Sequence, residues 1–283
     1  MAGCLQPEQS EIQPVSRVLN VEIGEPRTID GLGAAQGVEF RDGLVYLYGD
    51  REVGIIREYK VTDVPGLEYT GRELQLTVEG EDEVAHPTGL TQNVVFGTFL
   101  GDTVSGRGRI YTLDWEALLA DGSLDNAIVN ITEDDLAVNG TRPEFVRAGE
   151  EWVIATADYG DQNNAVRIYD PEQLRAASST SEPGVLLAEF RCSPWVQSLH
   201  WIDERGVLAL VQNQVEGLLW RITFVDLARS LESGREAVVE VIDLAPEDEL
   251  EGFHLVNPNL AILVSSSRRD NLYLATLNWK QTF

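Results

Sequence analysis

The sequence predicts an all-β fold: a five-bladed β-propeller whose ring is closed by the N-terminal strand completing the last blade. Three observations carry that prediction. A pattern of short alternating apolar runs recurs five times, registered on Gly37, Gly89, Glu144, Ser198 and Gly252, at spacings of 52, 55, 54 and 54 residues. The runs are rich in β-branched and aromatic residues and alternate with period two, which is the strand signature. The fifth repeat lacks a fourth run, and a spare run, Val18 to Ile23, precedes the first repeat. A repeat of this length with four antiparallel strands is a propeller blade.

In chain order, the first repeat reads Gln36-Gly37-Val38-Glu39-Phe40, Leu44 to Tyr48 and Ile55 to Tyr59. The second reads Thr88 to Leu90, Val94 to Phe99 and Arg109 to Leu113. The third reads Glu144 to Val146, Trp152 to Ala155 and Val166 to Tyr169. The fourth reads Ser198 to Trp201, Val207 to Val211 and Leu219 to Ile222, and the fifth Gly252 to Leu255, Ala261 to Val264 and Leu272 to Leu274. Fourth strands are expected at Glu73 to Val78, Ala127 to Thr132, Val185 to Arg191 and Ala237 to Asp243. Short helices are expected at Trp115 to Ala120, Pro171 to Ala177 and Asp226 to Ser230. Asp170 before Pro171 reads as an N-cap followed by proline at the first helical position.

Composition bounds the partners. Asp plus Glu number 47 against 21 Lys plus Arg, a net charge of −26. Such a field repels nucleic acid and anionic lipid, so no nucleic-acid partner is expected. Only Lys60 and Lys280 are lysines. The acidic, lysine-poor composition fits a high-GC genome, where Arg replaces Lys; the alternative is a high-salt habitat, where screening removes self-repulsion. Two cysteines, Cys4 and Cys192, are too few for a disulfide framework. Met1-Ala2-Gly3-Cys4 resembles the end of a prokaryotic lipoprotein signal, although no hydrophobic stretch precedes it here. On that reading Cys4 carries a lipid, its only link to a membrane. Residues 1–16 are then a flexible tether, and residues 17–283 form the propeller of an extracytoplasmic monomer. The alternative is an ordinary start with a chance cysteine.

The repeat also places a site. Loops entering each first strand and leaving each second strand converge on one face, where a concavity awaits a ligand. Those positions hold Gln36, Asp50, Thr88, Arg142, Asp158, Tyr159, Trp195, Gln197, Asn213, Glu251 and Arg268. Both signs of charge and two aromatic rings suit a small polar molecule or sugar. His86, before Pro87, and Glu144 are the acid/base candidates. His200 and His254 share one register and read as buried between blades; no metal set is assigned, and the sequence leaves any cofactor unknown. The Asp158 to Asn164 loop is rich in oxygen ligands but lacks EF-hand spacing. No P-loop, dinucleotide fingerprint, zincin motif or nucleophile elbow occurs.

The first blade, with Gln36-Gly37-Val38 followed by Leu44-Val45-Tyr46 and Arg57, resembles the opening blade of glutamine cyclotransferases. That resemblance implies a five-bladed propeller and conversion of N-terminal glutamine to pyroglutamate. Later blades carry Thr88-Gly89, Arg142-Pro143-Glu144-Phe145 and Val196-Gln197-Ser198-Leu199 where that family carries elements with further carboxylates. His86-Pro87-Thr88-Gly89 is similar to a His-Pro-x-Gly element of some lactonase-type propellers. The expected function is therefore binding of a small polar ligand on the loop-rich face. The alternatives are a cyclotransferase-like or hydrolytic enzyme using that face, and a protein-interaction scaffold.

Overall fold

The computed structural model describes residues 18–62, 66–215, 217–246 and 248–279. The tether and Cys4 lie outside them. Five four-stranded antiparallel sheets are arranged as the blades of a propeller. Blade 1 is Ala34–Arg41, Leu44–Asp50, Gly54–Val61 and Leu67–Gln75. Blade 2 is Pro87–Asn93, Gly97–Val104, Arg107–Leu113 and Ile128–Asp134. Blade 3 is Glu144–Ala148, Glu151–Ala157, Ala165–Tyr169 and Leu186–Arg191. Blade 4 is Val196–Ile202, Val207–Val215, Leu219–Asp226 and Val238–Leu244.

Blade 5 supplies only three strands from its own repeat: Leu250–Asn257, Leu260–Ser265 and Leu272–Trp279. Its fourth is Val18–Ile23, paired antiparallel with Leu272–Trp279 through Val21↔Leu277, Glu22↔Thr276 and Ile23↔Ala275. The chain thus closes its own ring, pairing an edge that would otherwise stand open.

Five apolar clusters hold the ring, one in each joint between neighbouring blades. Tyr48, Ile56, Leu100 and Tyr111 join blades 1 and 2, and Phe99, Phe145, Ile154 and Tyr169 join 2 and 3. Val153, Ile168, Leu208 and Leu210 join 3 and 4. Trp220, Phe224, Phe253 and Leu263 join 4 and 5, and Val45, Leu47, Ile262 and Val264 join 5 and 1. Each fully buried side chain of this size contributes roughly 1.5–3 kcal/mol, so every joint is a core in its own right.

Three short helices precede the outer strands: α1 (Trp115–Asp121), α2 (Pro171–Ala176) and α3 (Leu227–Ser233). Asp114, Asp170 and Asp226 cap them by accepting backbone N–H groups. Asp226, expected inside the third helix, is its cap. The fourth strand of blade 1 lies earlier than expected, at Leu67–Gln75. Leu76 instead turns inward, its N–H donating to Gly54, and Thr77–Val78 pairs with Glu81–Asp82 in a short ladder. Burial of Leu76 drives that departure.

Candidate functional site

The first strands line a central channel, and their entering ends form a mouth. In four blades the pairing slips by one residue there. Register shifts fall between Ala35 and Gly37, Pro87 and Gly89, Val196 and Ser198, and Leu250 and Gly252. The extra residues are Gln36, Thr88, Gln197 and Glu251. A bulge re-aims the side chain it carries. Blade 3 has Pro143 at this position, which cannot donate to a ladder, and Arg142 beside it reaches into the mouth instead.

Many mouth groups are already engaged with one another. Arg142 is buried, donating from Nε to the Gln197 carbonyl at 3.1 Å and from Nη1 to the Asn139 carbonyl at 3.2 Å. Its guanidinium lies 5.1 Å from the Tyr159 ring centre. Burial lowers its pKa to about 10, with Glu251 opposing the shift. Gln197 donates to Glu251 at 3.1 Å. Burial and then neighbouring Glu249 hold the Glu251 carboxyl well above its ordinary range, while Arg142 pulls it down. The Thr88 hydroxyl donates to the Thr141 carbonyl. Asp158 accepts from Val138, Ala165 and Arg167, the last at 2.7 Å, and is a buried structural anchor.

Tyr159 and Trp195 pack edge to face at 5.2 Å, and the Tyr159 hydroxyl accepts from Gln214 and donates to Asn213. Trp195 has φ +63°, a left-handed conformation costly for a bulky residue. It is held there by Trp195 N–H to Gly160 and Asn213 N–H to Trp195. Below the mouth, Val38, Tyr48, Thr88, Leu90, Glu144 and Ser198 are among the residues lining a cavity of about 10 Å³. That is room for about one water molecule. Glu144 therefore sits beneath the mouth, enclosed, and accepts the Trp201 N–H at 2.9 Å.

The open space lies to one side. A cleft of about 520 Å³ runs between blades 5 and 1, lined by Asp30, Gly31, Asp50, Glu52, Ser266 and Arg268 among others. Asp50 also meets His86, Oδ2 to Nδ1 at 3.1 Å. The His86 backbone N–H donates to Asp102, whose carboxyl burial raises to about pKa 6. The sequence reading placed Asp50 and Arg268 here but missed Asp30, Gly31 and Glu52. Asp30 and Gly31 stand in the link from the closing strand to blade 1, which has no counterpart in the repeat. Glu52 stands two residues after Asp50, which the register did select.

The histidines divide as their registers indicated. His86 is partly exposed at the mouth, while His200 and His254 are deep in the channel with ring centres 4.0 Å apart. The group missed there is Glu39, 3.5 Å from His254. A signal existed: Glu39, Thr91, His200 and His254 each stand two residues past the registered position.

No family model and no curated protein matches the chain. Among solved structures it is similar to a putative gluconolactonase, 12% identical, with a TM-score of 0.51 over 94% of this chain and 98% of that one. It is also similar to a Trichoderma reesei carbohydrate-active enzyme of family AA12, 10% identical, with a TM-score of 0.51 over 96% and 100%. At these identities the likeness shows the propeller fold alone.

Proposed function

We propose that the protein binds a small polar ligand, a sugar or an amino acid derivative, on its loop-rich face, in the cleft between blades 5 and 1. The observation that supports this most is the contrast between the two parts of that face. The channel mouth is closed by its own hydrogen bonds, whereas the cleft is ligand-sized and carries charged and hydroxyl side chains in its wall. Its carboxylates accept, Arg268 donates and Ser266 does either.

A thermal-unfolding screen against sugars, amino acid derivatives and glutaminyl peptides tests this. A ligand at about 100 times its Kd stabilises the fold by roughly 2.7 kcal/mol, which is readily seen. Asp50→Asn and Arg268→Ala should abolish the shift while changing the unliganded stability by no more than about 0.5 kcal/mol, because both side chains reach the surface. A shift retained in full by both variants would place the ligand elsewhere.

A second reading is an enzyme, cyclotransferase-like or hydrolytic, and the His86–Asp50 contact favours it. Asp50 accepting from Nδ1–H leaves Nε2 with its lone pair for proton transfer. Turnover of glutaminyl peptides, glycosides or lactones should then fall by about 10²–10⁴-fold in His86→Ala. Unchanged turnover in that variant would remove His86 from the chemistry. The proposal of an extracytoplasmic, lipid-anchored protein rests on Ala2-Gly3-Cys4 alone. It is tested by whether Cys4→Ala releases the protein from the membrane fraction of expressing cells.

A further inference from the structure

Four ionisable side chains that the ligand site does not use meet at the hub. Glu39 Oε2 lies 3.5 Å from His254 Nδ1. The His254 and His200 rings are 4.0 Å apart, and His200 Nδ1 lies 3.6 Å from Glu144 Oε1. They come from the first strands of blades 1, 5, 4 and 3, so the row ties four blades together. Thr91, from the first strand of blade 2, hydrogen-bonds Glu144.

The surroundings offer little charge compensation. On blade 1, Tyr48 packs against the row, and Arg41 acts on Glu39 from a distance while bonding Asp42 at the surface. On blade 3, Arg142 turns to the mouth. On blade 5, Glu251 adds another carboxyl above. Among the described residues neither Glu39 nor Glu144 pairs with a lysine or arginine; each has a histidine instead. His200 Nε2 accepts the Leu255 N–H at 3.2 Å, so that ring is neutral with its proton on Nδ1, facing Glu144. Two ionised carboxylates buried beside neutral imidazoles would be far too costly. Neutrality requires two titratable protons among the four groups.

We propose that Glu39, Glu144, His200 and His254 act as one unit that holds two protons in the folded protein, and that losing a proton from it loosens the joint between the blades it ties. The electrostatics agree. Burial, then Glu144, holds the Glu39 carboxyl well above its ordinary range, and burial pushes Glu144 to about 7. Burial takes His200 down to about 3, and burial, then His200, takes His254 well below its ordinary value. Both protons therefore sit on the carboxyls.

The pH dependence follows by comparison with the unfolded chain, whose carboxyls titrate at 4.5 and imidazoles at 6.5. Between those values the unfolded groups also hold two protons, now on the imidazoles, and stability is flat. Above 6.5 the unfolded chain gives them up while the folded hub keeps the Glu39 proton, and the Glu144 proton up to about 7, so stability falls as pH rises. Below 4.5 the unfolded carboxylates take up two more that the folded imidazoles refuse, so stability falls again. Glu251, also raised, adds to the alkaline fall, so the hub's share is read as a difference between variants.

The test is the urea midpoint from about pH 5.5 to about pH 8.5 for the wild type, Glu39→Gln and Glu144→Gln, the amide keeping the shape of a protonated carboxyl. The wild-type midpoint should fall on the alkaline side, and Glu39→Gln should remove the larger part of that fall. An alkaline fall of the same size in both variants would overturn the proposal. Should either variant not fold, nitrogen NMR of the wild-type rings decides. Both are expected neutral at about pH 5.5, with His200 protonated on Nδ1; an imidazolium at either ring overturns it.

Discussion

Gly37 shows what a single residue does at this hub. A Cβ there would collide with the Tyr48 hydroxyl, because the Tyr48 ring lies across the glycine to fill the channel. Gly252 meets the same spot from blade 5, its own Cβ position 2.9 Å from the Gly37 Cα. Gly37→Ala should therefore cost about 1–3 kcal/mol by overpacking, as read from a urea midpoint at unchanged slope. The repeat showed these glycines as register marks. It did not show why they are small, since Tyr48 comes from the neighbouring strand and period two says only that it points to one face. The same limit hid Glu39. A polar residue inside an apolar run reads as solvent-facing until the fold shows that both faces of a first strand are buried.

At the scale of elements, the helices were legible because a cap is written locally. Asp170 followed by Pro171 fixes the start of α2, and the carboxylate accepts from Glu172 and Gln173 at 2.9 and 3.0 Å. Asp170→Ala should cost about 1 kcal/mol, measured by thermal unfolding, with Asp170→Ser recovering most of it. The four bulges were not legible. Inserting Gln36, Thr88, Gln197 or Glu251 breaks the alternation, and in one dimension a broken alternation looks like a loop. The residues were still found, because the repeat gave their position even though it hid their geometry. What it could not give was their pairing. Gln197 with Glu251, and Arg142 with the Gln197 carbonyl, close the mouth that a list of polar residues suggested was open.

The whole molecule is a ring of five joints, and closure is its most global feature. An unpaired run at one end and a missing strand at the other predicted it, and the pairing of Val18–Ile23 with Leu272–Trp279 fulfils it. Val21 is buried in the joint between blades 4 and 5, so the closing strand also completes a core. Deleting residues 18–23 should lower the thermal midpoint and promote self-association through the exposed edge, as light scattering would detect. An unchanged midpoint would mean that the strand adds nothing to the fold. The cleft lies at the next joint, between blades 5 and 1, and part of its wall is the link that follows the closing strand. That link stands outside the fivefold register, which explains why a repeat-based reading did not find Asp30 and Gly31.

The central claim, that ligands enter the side cleft and not the closed channel mouth, is tested most directly by NMR shift mapping with the strongest binder from the thermal screen. The account predicts perturbations centred on Gly31, Asp50, Ser266 and Arg268, with the amides around Arg142 and Gln197 unmoved. Perturbations centred on Arg142, Gln197 and Glu251, with the cleft silent, would contradict it and make the channel mouth the binding site.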